Sequence, residues 1–205
     1  MTLSFARVLL VSMIVAAVPA SAQDLYNNGP TDGTTLGWTI NFGFAVSDSF
    51  VMPNAMFNSL TFAAWLFPGD VLETAEVSIT SSEFGGTSYF DQTVRFTQSG
   101  CFSNGSFNVC NETGVFSPVT LNAGTYWLNL STGMVNTGDP VYWDQNSGPS
   151  LASGSSIGTI PSESFTLTGA CCGPPPTTPE PNSLLLLGSG IMISGLAMAG
   201  MKLLR

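Results

Sequence analysis

The side chains that could do chemistry in this chain are carboxylates, cysteines and tryptophans, because it contains no histidine. Ser-His-Asp and Cys-His catalysis need an imidazole to carry the proton, and the common zinc hydrolase sites need it as a ligand, so each is excluded. Carboxylate chemistry stays open. A glycosidase needs two acids facing one another across a cleft, about 5 to 9.5 Å apart, one with a raised pKa. Glu73 with Glu76, or Asp139 with Asp144, supply such pairs; the alternative reading of the same acids is solvated turn and strand-face residues. Calcium is a second use, since it takes hard oxygen ligands. The string Asp144-Gln145-Asn146-Ser147-Gly148-Pro149 begins like an EF-hand loop and then departs from it at Gly148, Pro149 and Ser155. What remains is an irregular calcium site from Asp139, Asp144 and Asn146, or a plain Asx-turn. No cofactor is expected.

Of the four cysteines, Cys101 and Cys110 bracket the loop Phe102 to Val109, which contains Asn104-Gly105. In an exported chain they are expected to be oxidised, and closing such a loop stabilises by roughly 2.5 to 3 kcal/mol. Cys171 and Cys172 are adjacent; they pair with each other, bridge to other chains or stay free. There is no Cys-x-x-Cys, so a metal reading of the cysteines has little support. Trp65, Trp127 and Trp143, with Tyr142 and Phe67, are candidates for stacking on sugar rings, and as the largest apolar units they are equally candidates for the core. Trp127 follows Tyr126, so the two face opposite sides of one strand and one is expected to be less buried.

The elements that must position these residues read as strands. Runs rich in Val, Ile, Thr and aromatics are punctuated by Gly, Pro, Asn and Asp at short intervals. The expected strands are Leu36 to Val46, Leu60 to Phe67, Val71 to Thr80, Thr87 to Thr97, Gly114 to Leu121, Thr125 to Ser131, Pro140 to Trp143 and Glu163 to Thr168. Alternation is clearest where Tyr126, Leu128 and Leu130 share one face, and where Val77 and Ile79 do. The expected fold is all-β, a two-layer antiparallel β-sandwich of jelly-roll type. It occupies residues 23–170, enough for one sizeable core. The Cys/Pro-rich stretch 171–178 reads as a stiff linker.

The two ends have a different texture. Arg7, the apolar run Val8 to Val18, and Ala20-Ser21-Ala22 before Gln23 make a signal peptide over residues 1–22, with cleavage after Ala22. At the other end, Pro179-Glu180-Pro181 precedes a charge-free stretch, 183–201, which as a helix spans roughly 28 Å, and Lys202 and Arg205 follow it. An acidic Pro-Glu-Pro motif, an apolar helix and a basic terminus in that order closely resemble the PEP-CTERM sorting signal of Gram-negative bacteria, over residues 179–205. The resemblance implies that an exosortase, a membrane-embedded thiol transpeptidase, recognises Pro179-Glu180-Pro181 and removes the transmembrane helix. The segments Val46 to Phe50, Ala64 to Asp70, Leu121 to Leu128 and Tyr142 to Gly148 also look like a recurrent extracellular module of such sorted proteins. That module has no assigned reaction, so this second resemblance implies a fold and not an activity.

Between Gln23 and Thr178, Arg95 is the one base against twelve acids, a net of −11. One arginine cannot neutralise the phosphates that nucleic-acid binding requires, so that class is excluded. The sequence therefore reads as an exported, non-enzymatic surface or extracellular-matrix protein, anchored in the membrane before processing and then released to the cell surface or matrix. Exopolysaccharide is the candidate ligand. The alternative is a secreted carboxylate-dependent polysaccharide hydrolase.

Overall fold

The computed structural model describes residues 22–34 and 36–171, and these form an all-β structure of twelve strands. The signal segment through Ser21, the stretch 172–178, the sorting motif Pro179-Glu180-Pro181, the helix expected over 183–201, and Lys202 and Arg205 lie outside the described residues. The strands are β1 Gln23–Asn27, β2 Gly37–Thr39, β3 Ala45–Met52, β4 Ala55–Leu66, β5 Leu72–Ser82 and β6 Gly85–Asn104, followed by β7 Phe107–Leu121, β8 Gly124–Val135, β9 Tyr142–Asp144, β10 Ala152–Gly154, β11 Gly158–Ile160 and β12 Phe165–Cys171.

Every pairing is antiparallel, in the order β1-β12-β4-β7-β6-β5-β8-β3-β10-β11, with β9 joining β2 to β4. This is one continuous sheet, and it curls. The turning point is β6, which at 20 residues is too long to serve one neighbour along its whole length. Its first half pairs with β5 (Thr74↔Arg95 to Ser82↔Gly85) and its second half with β7 (Phe96↔Gly114 to Asn104↔Phe107). The curl brings the two ends of the order face to face. Phe50 on β3 meets Phe165 on β12 edge-on at 6.0 Å between ring centres, and Tyr26 on β1 at 5.6 Å.

The core follows from period-2 alternation. Tyr126, Leu128 and Leu130 on β8, and Ala75, Val77 and Ile79 on β5, point inward and are buried. From β6 inward a chain of rings runs Phe96, Phe62, Trp143, Phe165, Phe50, Tyr126, each 5.2 to 6.0 Å from the next. Tyr126 is buried while Trp127 is only half-buried, as opposite faces of one strand require.

Several strand boundaries differ from the sequence reading. The strand expected from Leu36 to Val46 is two strands, β2 and β3, separated by a turn in which Phe42 and Gly43 take positive φ (55° and 85°). Such a turn reverses the chain, so the run cannot continue. Strands β1, β10 and β11 were not anticipated; they are short, and Ser, Gly, Gln and Asn dilute their apolar signal.

Glu112 is a buried acid in this core. It sits on β7 opposite Phe62 on β4 and Gln98 on β6, fully enclosed, and neither carboxylate oxygen has a hydrogen-bond partner. Burial pushes its pKa up to about 8, with the nearby Gln98 amide opposing the rise. A carboxyl whose pKa is higher folded than unfolded stabilises fully below the unfolded value near 4.5, and that contribution is lost as pH rises toward 8. Glu112→Gln is therefore expected to leave stability unchanged at pH 4 and to raise it at pH 8, by on the order of 4 kcal/mol. Urea unfolding of both proteins across that range checks it; parallel curves with no gap opening between pH 4.5 and 8 would show that Glu112 keeps an ordinary pKa.

Candidate functional site

The hairpin between β6 and β7 lies beside the end of β4, where Trp65 and Leu66 pair with Val109 and Asn108, and it carries the Cys101–Cys110 disulfide at its neck. Beyond the bridge the strands stay in register, Phe102↔Val109, Ser103↔Asn108 and Asn104↔Phe107, and Gly105 makes the turn at φ 59°. The expected pairing of these cysteines is the one formed. A staple at the base of a short hairpin restrains its tip, and the tip carries Phe107.

Phe107 is the centre of an aromatic face. Its ring lies 5.8 Å from Trp65, 4.9 Å from Phe67 and 5.7 Å from Tyr142, the last edge-on. Trp65 and Tyr142 are cross-strand partners on β4 and β9, one residue after Ala64 and one before Trp143, which pair on the inner side. All four rings are half-buried. Sheet alternation therefore fixes which tryptophan faces out: Trp65 does, and Trp143 does not.

The segment 28–34 folds against this face and is held by Asp144, the last residue of β9. Its Oδ1 accepts from the Trp65 indole N–H at 2.6 Å and from the Gly33 amide at 3.0 Å, and its Oδ2 accepts from the Asp32 amide at 2.8 Å. Two further bonds reach the same segment: Thr31 Oγ1 with Asn111 Oδ1 at 2.9 Å, and the Asn104 amide donating to the Gly33 carbonyl. Gly33, at φ 63°, also lies under Phe102, where a Cβ would be 2.4 Å from the ring. Burial raises the pKa of Asp144, and the indole and backbone donors oppose the rise.

The other sequence candidates are distributed differently. Trp143 is fully buried between Phe62 and Phe165, and its indole N–H donates to the Ser164 carbonyl at 2.8 Å, so it is core and cannot stack on a ligand. Trp127 lies on β8, opposite Ser49 and Thr80, in the other half of the sheet. The calcium trio is not assembled. Asp144 is committed as above; Asn146 donates to the carbonyls of Asn28 and Pro30 and accepts from Gly148 in an Asx-turn; Asp139 belongs with Asn41, Phe42 and Thr132. Among the described residues no three Asp, Glu, Cys or His side chains form a metal-holding group. Glu73 and Glu76 are exposed on β5, and Glu76 accepts from the Ser131 and Thr132 hydroxyls. Four surface depressions of about 180 to 320 Å³ have Asp139 as the acid among their linings. Ala22 and Gln23 stand at the start of the described chain, and β1 begins at Gln23; Ala20 lies outside it.

Sequence reasoning missed Phe107, whose signal was present: two phenylalanines, Phe102 and Phe107, stand in a cysteine-bracketed loop otherwise made mostly of Ser, Asn and Gly. It also missed Asp144 as an anchor. No family model, curated protein or solved structure matches this chain.

Replacing Asp144 by Ala leaves three buried or half-buried N–H donors without an acceptor, at an expected cost of about 3 kcal/mol. Faster amide exchange at Asp32 and Gly33 should accompany it. Equilibrium unfolding with hydrogen exchange reads both, and unchanged protection at those two amides would refute the anchoring role.

Proposed function

We propose that this is an exported, non-enzymatic surface or extracellular-matrix protein. It is delivered by its signal peptide and processed at its C-terminal PEP-CTERM signal, and it binds exopolysaccharide on the face formed by Trp65, Phe67, Phe107 and Tyr142. Its curled sheet is read as a jelly-roll-like two-layer sandwich. The observation that carries the binding role is the pre-set position of Trp65: its indole is fixed by Asp144 and its ring is flanked by Phe107, whose hairpin is stapled by a disulfide. Aromatic rings already held in place lose little conformational freedom on stacking against a sugar. The position of the acids supports the non-enzymatic part, because Glu73 and Glu76 are exposed and Asp144 is enclosed by its donors. The delivery role rests on Pro179-Glu180-Pro181, the charge-free stretch 183–201 and the bases Lys202 and Arg205.

Two experiments test the two halves. Intact mass of the protein from cell-surface fractions should show a chain beginning at Gln23 and lacking 183–201 when an exosortase-type enzyme is present. A mature chain still running to Arg205 in such a host removes the sorting role. For binding, affinity electrophoresis in exopolysaccharide should retard the wild type. Phe107→Ala with Tyr142→Ala should weaken that retardation roughly ten-fold, on the scale of two lost aromatic contacts, and Trp127→Ala should not. No retardation of the wild type, or equal loss from Trp127→Ala, overturns the assigned face.

A further inference from the structure

A second polar site lies inside the curl, on the other side of the sheet from the aromatic face. Asp48 stands in the inward row of β3 between Val46 and Phe50, and it is fully buried. Its Oδ2 accepts from the Asn28 side-chain amide at 2.9 Å and from the Glu163 backbone N–H at 2.7 Å, while Oδ1 has no hydrogen-bond partner. Glu163, bridged to Gln145, is also fully buried, and neither of its carboxylate oxygens has a partner. Repulsion from Asp48 and Asp144 adds to burial in raising its pKa well above the ordinary value.

Four oxygens, one of them from Asp48 itself, converge on the Asn28 side-chain nitrogen. The Asn28 Nδ2 lies 2.9 Å from Asp48 Oδ2, 2.7 Å from Ser150 Oγ, 2.8 Å from Ser162 Oγ and 2.7 Å from the Glu163 carbonyl. An amide nitrogen has two hydrogens and serves two of these acceptors at once; the Glu163 backbone N–H serves Asp48 Oδ2, and the Ser150 and Ser162 hydroxyls, 2.8 Å apart, bond to one another, so the oxygens left without any partner are those of the carboxyls. The carboxylate that contributes one of the four has a second, unpartnered oxygen, and the residue that contributes another has an unpartnered carboxyl. No basic side chain balances them: Arg95, the one base between residues 22 and 171, is exposed on β6 opposite Thr74. Buried carboxylates without a counter-charge are strongly disfavoured, so a cation or a proton must accompany them.

We propose that Asp48 and Glu163 are the anionic ligands of one divalent cation of calcium type, held where the oxygens of Ser150, Ser162 and the Glu163 carbonyl already converge. The Asn28 Nδ2 fills that point in this structure, so binding requires the Asn28 side chain to withdraw it and to turn its Oδ1, which accepts from the Tyr26 hydroxyl at 2.6 Å, toward the ion. Two carboxylates joined by hydroxyl, carbonyl and amide oxygens suit a hard cation that accepts six to eight oxygen ligands at flexible geometry. The set offers neither imidazole nor thiolate, which disfavours zinc and copper. The ion ties β3 to the segment before β12 and to the residue after β1, so it locks the two ends of the sheet order together across the interior. Its affinity is expected in the range of extracellular modules, on the order of 0.1 to 1 mM.

The test uses the full chain in mild detergent, stripped with chelator and dialysed against calcium or magnesium. Calcium should be taken up at one equivalent per chain and raise the thermal midpoint; magnesium at the same concentration should do much less. Asp48→Asn and Glu163→Gln should each weaken calcium uptake roughly ten-fold or more, on the scale of losing one of two charged ligands. Ser150→Ala, at a half-buried loop position, should weaken it less and supplies the answer if the core variants do not fold. Asp139→Asn should leave uptake unchanged. No calcium uptake by the wild type overturns the site, as does uptake that is equal in Ser150→Ala and Glu163→Gln or that is lost with Asp139→Asn.

Discussion

Arg95 is the single basic side chain between residues 22 and 171, and it is exposed, so every buried carboxyl in the curled sheet must be met by neutral donors, a proton or an ion. Of the five buried carboxyls, Asp70 accepts from the Thr137 hydroxyl and the other four form a graded series. Asp144 receives three N–H donors on the outer face, two from the backbone and one from an indole. Asp48 receives an amide and a backbone N–H on one oxygen and nothing on the other. Glu112 and Glu163 receive nothing on either. Desolvation raises the pKa of all four, and the rise is opposed by hydrogen bonds at Asp144 and Asp48 and by the nearby Gln98 amide at Glu112. The acidic composition is thus a design constraint on the interior as well as a surface property.

The same constraint makes backbone geometry carry more of the structure. Asp144 holds the segment 28–34 through the amides of Asp32 and Gly33, which requires that segment to present two successive N–H groups toward β9. Gly33 permits this at φ 63°, and the Phe102 ring fills the space where any other residue would carry its Cβ. The hairpin, the segment 28–34, β9 and the end of β4 therefore form one linked unit: the disulfide restrains the hairpin, the hairpin positions Phe102 and Phe107, and Asp144 joins the segment to Trp65.

How much of this the sequence reveals follows from the range of each interaction. Alternation is local, so the inward faces of β5 and β8, the division between Tyr126 and Trp127, and the Cys101–Cys110 loop could all be read directly. Asp48 could not, because an acid between Val46 and Phe50 breaks the apolar pattern by which an inward row is recognised. Trp143 and Trp65 look alike in sequence; their opposite roles depend on the pairings Ala64↔Trp143 and Trp65↔Tyr142, made across nearly eighty residues of chain. The single curled sheet was likewise out of reach, since it depends on β6 changing partners along its length. Strands β10 and β11, three residues each, gain their place only by pairing with β3 and with each other.

Strand directions relate the aromatic face to the chain exit. β12 runs antiparallel to β4, from Phe165 beside Phe62 to Cys171 beside Ala55, and β1 enters next to it with Gln23 opposite Gly169. Both ends of the described chain therefore leave near the start of β4, whereas Trp65 stands at its far end. Ten residues of strand at about 3.3 Å each separate Ala55 from Trp65 by roughly 30 Å. Any tether continuing from Cys171 thus holds the domain at one end and leaves the Trp65 end distant from the attachment. Were the proposed membrane attachment to follow, a face beside the exit would be shielded by that surface, and a face at the far end of β4 would not. The antiparallel pairing of β12 with β4 is what creates that polarity: reversing it would put the exit beside Trp65.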